Sequence, residues 1–271
     1  MKQYLAERSE LFNAGSSFSC PDSCERMGCK EPALHISISL IDLVSISLSS
    51  NRKAVDLFKQ DIKIGFDPIQ RNEPWIGRVS LELKKPCPFL YGKECSVYPR
   101  RPIACALFPE HGFMCEPPEI ILQKEIFQNF PCIQKPCSIS PQRKETLQQL
   151  WDMFVKEIFL SEFYLFGFSP LVIDLKNIAG EGLQGASFSE DGMVHLPHQQ
   201  IEGLLSQKLE EGGYWNEWKV RIDKLDQTDG LKELIKIKNL TDLMVKGSGN
   251  NPFHVAYQFE GKRLFPLHFY K

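Results

Sequence analysis

The chain has 271 residues, of which 42% are hydrophobic and 24% charged, with a formal net charge of −2. That composition excludes a disordered or low-complexity chain and offers no global attraction to nucleic acid or an anionic membrane surface. The length suffices for one large domain or two modest ones with a real core.

Met1 to Phe12 reads as a short helix without the apolar stretch of a secretory signal, and the expected location is the cytoplasm. A small, polar stretch then delivers Cys20, and residues Cys20 to Pro32 read as a loop punctuated by Pro21, Asp22, Gly28 and Pro32. Leu34 to Leu48 alternates almost strictly, which fits a strand or the start of a helix. The longest apolar stretch, near Ile36 to Leu48, is interrupted by Ser37, Ser39, Asp42, Ser45 and Ser47, so it is not expected to span a bilayer. A helix is expected over Asn51 to Ile62, with Ala54, Val55, Phe58 and Ile62 on one face. Val79, Leu81 and Leu83 alternate with polar neighbours as a strand leading to Cys87.

The second half opens with an amphipathic helix from about Arg143 to Phe163, its apolar face carrying Leu147, Leu150, Trp151, Phe154, Ile158 and Phe159. Further helices are expected at Gln200–Glu211, Asn216–Gln227 and Leu231–Lys246, with a loop over Gly180 to Gly192. A hairpin over "FHVAYQFE", "GKR" and "LFPLHFYK" closes the chain. The expected fold class is α+β, helix-rich: an irregular Cys-rich metal-binding module over residues 1–140, and a helical supporting region over 141–271 that ends in a β-hairpin.

Nine cysteines lie between Cys20 and Cys137 and none follows. A secreted chain would use them as a disulfide framework, but an odd number without an export signal points instead to metal ligands or redox centres. The spacings are C-x3-C-x4-C for Cys20, Cys24 and Cys29, C-x7-C-x9-C-x9-C for Cys87, Cys95, Cys105 and Cys115, and C-x4-C for Cys132 and Cys137. Zinc takes a tetrahedron of thiolate or imidazole donors, and closely spaced pairs on turns supply two corners each. Cys20, Cys24 and Cys29 are therefore read as three donors from one loop, completed by a remote cysteine. Lys84, Lys85, Lys93, Arg100 and Arg101 crowd around Cys87 and Cys95, where cations would offset the negative charge of a thiolate centre. His111 and His35 are possible substitute ligands, whereas His195 and His198, separated by Leu196-Pro197, read as loop histidines. No C-x-x-C redox pair and no Gly-rich phosphate loop occurs.

The block "PCPFLYGKECSVYPRRPIACALFP" resembles the hallmark of a bacterial family described as a zinc- or iron-chelating domain, the YkgJ-like family. Cys87, Cys95, Val97, Tyr98, Arg101, Pro102, Cys105, Phe108 and Pro109 fall on its pattern, and Cys20 and Cys24 match its upstream cluster. Cys115 and Cys132 match later positions more loosely, and Cys29 stands where the family usually has an adjacent Cys-Cys pair. The resemblance implies metal binding by Cys20, Cys24, Cys29, Cys87, Cys95, Cys105, Cys115 and Cys132, with zinc as the expected metal and iron or an iron–sulfur cluster as the alternative. The same block is similar to flagellin lysine methylases, which leaves a methyl-transferring, protein-modifying or iron–sulfur enzyme as a second reading and a metal-handling protein as a third. A C-x3-C-x2-C radical S-adenosylmethionine loop fits less well, because the second gap here is four residues and no βαβ alternation follows. A protein or small-molecule partner of unspecified kind is expected, with no nucleic acid and no membrane.

Overall fold

The computed structural model describes residues 2–16, 18–21, 23–70, 73–134, 138–167, 171–179, 187–188, 194–195, 198–226, 232, 234, 236 and 256–267. The fold is α+β, and the chain divides into two discontinuous units: Met1–Ile62 with Leu83–Ile158, and Lys63–Glu82 with Phe159–Lys271. Among the described residues, no helix is long and apolar enough to cross a membrane.

In the first unit the ambiguous alternation after Leu34 resolves into a helix, Leu40–Ser50, because its start carries a complete capping box. The Ser39 hydroxyl accepts from the Asp42 amide at 2.9 Å, and the Asp42 carboxylate accepts from the Ser39 amide at 2.8 Å. Two otherwise orphaned donors are satisfied at once, and Asn51, in the left-handed region at φ 55°, ends the helix. The expected helix over 51–62 is Ala54–Asp61, burying Ala54, Val55, Leu57 and Phe58.

Asp42 also binds this unit together. Its carboxylate pairs with the fully buried Arg8 of helix Lys2–Leu11 and accepts from the Ile103 amide at 3.2 Å. Ile103 opens the short helix Ile103–Leu107, which carries Cys105. Glu157 completes the buried network, 3.1 Å from Arg8 and hydrogen-bonded by the Ser39 and Tyr4 hydroxyls at 2.7 and 2.9 Å. Burial pushes its carboxyl upward, against the pull of Arg8. An apolar cluster of Phe12, Ile103, Ala106, Leu107, Leu147 and Leu150 packs beside these residues.

The helix expected from Arg143 runs Pro141–Phe166. Its Leu147 and Leu150 are fully buried, but Trp151, read as core, is 38% exposed and lies on the His111 ring, 4.6 Å between centroids. An indole at the edge of an apolar stripe covers a neighbouring ring as readily as it enters a core.

The second unit is built on a five-stranded sheet in the order Ile62–Gln70, Glu73–Leu83, Val172–Asp174, Ala256–Glu260, Arg263–Leu267. Glu73–Leu83 pairs antiparallel with Val172–Asp174 (Gly77 opposite Ile173), which runs parallel to Ala256–Glu260 (Ile173 opposite Tyr257). The C-terminal hairpin pairs Phe259 with Leu264 and Glu260 with Arg263, and Gly261 supplies the positive φ of its turn. Helices His198–Glu211 and Tyr214–Asp223 bury Ile201, Leu205, Leu209, Trp218 and Ile222. Trp218 meets Phe166 at 4.8 Å, and Tyr164 and Arg221 exchange hydrogen bonds of 2.9 and 2.8 Å with one another's carbonyls. His195 lies on the short strand Val194–His195 and His198 begins a helix. Most of the helix expected at Leu231–Lys246 and most of the Gly180–Gly192 loop lie outside the described residues.

Candidate metal centre

All eight described cysteines carry free thiols, and all lie in the first unit. Cys137 lies outside the described residues. The eight separate into two groups of four and three, with Cys115 apart.

The larger group is Cys29, Cys87, Cys95 and Cys105. Cys29 sits on the one-turn helix Met27–Lys30, which the chain enters through Arg26 in the left-handed region at φ 59°. The Cys29 carbonyl accepts from the Cys87 amide at 2.8 Å, so two segments far apart in sequence meet through main chain beside the sulfurs. Cys87 leads into a tight hairpin, Leu90–Tyr91 with Glu94–Cys95, in which Leu90 pairs with Cys95 and Gly92 takes the positive φ of the turn. Cys105 comes from helix Ile103–Leu107, held at its first residue by Asp42.

The sulfurs interact as a set. Interaction between the two thiols of Cys29 and Cys87 pushes Cys29 up and holds Cys87 below the usual thiol value. Burial raises Cys95, and it pushes the Cys105 thiol up to about 12, with the Cys29 charge acting in the same direction. Two features favour thiolate. The nearby Phe89 amide acts to lower Cys87 and the nearby Val97 amide to lower Cys95. Lys85 lies beside Cys29, Cys87 and Cys105, and Arg101 beside Cys95 and Cys105.

Both cations are anchored. Lys85 donates to the Gly28 carbonyl. Arg101 is 8% exposed, donates to the Tyr98 carbonyl at 2.9 Å and the Asn13 side chain at 3.0 Å, and lies 4.0 Å over the Tyr98 ring. The other basic residues of the block are engaged elsewhere. Lys84 donates to the Gln60 carbonyl at 2.7 Å, and Lys93 pairs with Glu25 at 2.7 Å.

Four thiols with two fixed cations nearby form a donor set for a soft or borderline divalent metal. Among the described residues, no three of these sulfurs lie mutually within 4.8 Å. Zinc–sulfur bonds of about 2.3 Å would therefore draw the sulfurs inward.

The smaller group is Cys20, Cys24 and Cys132. Cys115 joins neither: it is exposed, at the end of helix Glu110–Cys115, with its sulfur 3.7 Å from both ring nitrogens of His111. His35 is half-buried in the same unit, seven residues before Asp42. The loop read as a single three-donor unit thus divides, with Cys29 turned by Arg26 and its helix toward Cys87 while Cys20 and Cys24 stay together. No sequence signal announced that division, since a left-handed Arg is not written in a spacing pattern.

No known family model matches the chain, and no curated protein or solved structure matches it.

Proposed function

We propose that the chain is a metal-binding protein whose primary centre is a zinc ion held by Cys29, Cys87, Cys95 and Cys105. The observation that carries this reading is the 2.8 Å hydrogen bond from the Cys87 amide to the Cys29 carbonyl, which joins two cysteine segments far apart in sequence, with Lys85 and Arg101 anchored nearby on the Gly28 and Tyr98 carbonyls. Four half-buried thiols that served only as small apolar side chains would not need Lys85 and Arg101 held beside them. A zinc with four thiolates carries a net −2, and these two cations offset it. Four protein ligands close the coordination sphere, which is the arrangement of a structural site, and its binding energy would contribute directly to folding. The resemblance of the Cys87–Pro109 block to zinc- or iron-chelating domains points the same way.

An iron–sulfur cluster is the second reading. It uses the same four-cysteine donor set, and the sulfur spacing is wider than a single zinc requires. Anaerobic purification, metal analysis and a visible spectrum separate the two. Zinc gives stoichiometric metal and a colourless protein, whereas a cluster gives iron, sulfide and visible absorption. A folded protein that takes up neither metal rejects both.

A further inference from the structure

The main chain singles out one pair of cysteines, Cys29 and Cys87. Among the described residues, the 2.8 Å bond from the Cys87 amide to the Cys29 carbonyl is the only main-chain hydrogen bond that joins one cysteine to another. Each residue is also held at its other main-chain group. The Cys29 amide donates to the Arg26 carbonyl at 2.8 Å, and the Cys87 carbonyl accepts from the Leu90 amide at 3.1 Å. Lys85 adds a second tie between the same two segments by donating to the Gly28 carbonyl.

A direct amide-to-carbonyl bond sets two segments at about the 4.8 Å spacing of neighbouring strands. A disulfide bridges α-carbons about 4.4–6.8 Å apart, so these two sulfurs can be joined by side-chain rotation without moving the backbone. The two thiols already interact. Both are partly exposed, unlike the buried Cys24 and Cys132, and a molecule as small as a peroxide can reach them. Cys95 and Cys105 are committed differently, the first opposite Leu90 in its hairpin and the second on helix Ile103–Leu107, whose first amide is tied to Asp42.

We propose that Cys29 and Cys87 are a redox pair: a two-electron oxidant of the peroxide class joins their sulfurs as a disulfide, which withdraws two of the four donors and releases the metal. That consequence is a regulation of the four-thiol centre and rests on the proposed function, whereas the pairing itself rests on the main-chain bond. One thiolate attacks a peroxide oxygen, the O–O bond breaks, and a sulfenic acid forms as hydroxide leaves and takes a proton from solvent. The second thiolate attacks that sulfur, the S–O bond breaks, and a second hydroxide leaves and is protonated. Two thiols and one hydrogen peroxide thus give one disulfide and two waters, with sulfur oxidised and peroxide oxygen reduced. The two thiolates that remain do not close a tetrahedral site. Reduction by a dithiol restores both donors.

The test treats the full-length, zinc-supplied chain with equimolar hydrogen peroxide. Remaining thiols are alkylated, the disulfide is located by peptide mass spectrometry, and freed zinc is read with a chromogenic chelator. The first disulfide is expected to join Cys29 to Cys87, with one zinc freed per bond and zinc regained after dithiothreitol. Cys95→Ser, which keeps both sulfurs of the pair, should form the same bond without any zinc to release. A first disulfide between other cysteines, such as Cys20 with Cys24, overturns the proposal, as does oxidation without a cross-link. So does a Cys29–Cys87 bond that leaves the zinc in place. If the purified chain holds no metal but peroxide still joins Cys29 to Cys87, the pairing stands and the zinc reading alone fails.

Discussion

The Cys87 amide donates to the Cys29 carbonyl at 2.8 Å, so the main chain joins the two segments whose thiols also interact. That contact places Cys29 with the hairpin cysteines rather than with its sequence neighbours Cys20 and Cys24. It also separates two classes of cysteine substitution. Cys95→Ser removes a sulfur of the tight hairpin that pairs Leu90 with Cys95 and is expected to abolish zinc at the four-thiol centre. Cys115→Ser removes an exposed thiol whose neighbour is His111 and is expected to leave metal content unchanged. Elemental analysis of the two purified variants decides, and full zinc at the four-thiol centre in Cys95→Ser would refute the assignment.

Charge around the centre gives a second expectation. Arg101 is buried, stacked on Tyr98 and shared between Cys95 and Cys105. Residues that support metal ligands typically account for about 10–100-fold in affinity, and Arg101→Ala should weaken zinc binding by roughly that factor. Arg101→Lys keeps a charge but loses the planar fork that reaches both the Tyr98 carbonyl and Asn13, so it should recover only part of the loss. Lys84→Ala, whose ammonium is spent on the Gln60 carbonyl, should change nothing. Competition titrations with a zinc chelator measure all three, and equal affinities for Arg101→Ala and Lys84→Ala would show that Arg101 is not tuning the metal.

What the sequence made legible follows from how local each signal is. Val79, Leu81 and Leu83 read as a strand and lie in Glu73–Leu83, and the closing hairpin is in place with its turn at Gly261 and Lys262. Both are short-range patterns. The alternation after Leu34 was undecidable by periodicity, because the deciding feature is the reciprocal Ser39–Asp42 cap, a matter of two side-chain bonds. Clustering marked the cysteines as a set, and the basic run near Cys87 marked its cations. Which thiol meets which depends on long-range contacts such as Ile103 to Asp42 and Phe18 to the Phe130 cluster, and spacing carries no record of those. The same holds for Lys85 and Arg101, which only their anchoring partners distinguish from Lys84 and Lys93.

His111 supplies a pH prediction away from the thiol clusters. Burial holds its imidazole below the ordinary value of about 6.5, since the ring is half-buried and stacked on Trp151. A depressed histidine favours the neutral form in the folded state. Its contribution to stability is therefore complete above about pH 6.5 and is lost as pH falls through the folded value. The His111 resonance should titrate below 6.5 in the native protein, with a parallel change in Trp151 fluorescence. His111→Gln should flatten the acid side of the stability profile, and a native titration at or above 6.5 would contradict the burial argument.

Arg143 offers the sharpest stability test. Its side chain is 2% exposed and pairs with the Glu110 carboxylate at 2.7 Å, itself 5% exposed. The remaining donors reach the carbonyls of Leu11 at 3.3 Å, Ala14 at 3.0 Å and Phe12 at 3.2 Å. One guanidinium therefore satisfies the frayed end of helix Lys2–Leu11 and joins it to helices Glu110–Cys115 and Pro141–Phe166. Arg143→Ala leaves the buried Glu110 carboxylate with only the Ser16 hydroxyl and takes this donor from the Phe12 and Ala14 carbonyls, and removing one member of such a buried pair costs about 3–5 kcal/mol. Arg143→Lys keeps the charge but cannot span Glu110 and three carbonyls, so it should lie between wild type and Arg143→Ala. Replacing both partners, Arg143→Met with Glu110→Leu, removes the stranded charge and should recover much of the loss. The exposed pair Arg221–Glu217, at 38% and 53% exposure, is worth only about 0.3–0.5 kcal/mol, and Glu217→Ala, which leaves Arg221 on the Tyr164 carbonyl, serves as the control. Urea unfolding of the metal-loaded variants measures each term, and a loss in Arg143→Ala no larger than in Glu217→Ala would mean that this buried junction does not hold the first unit together.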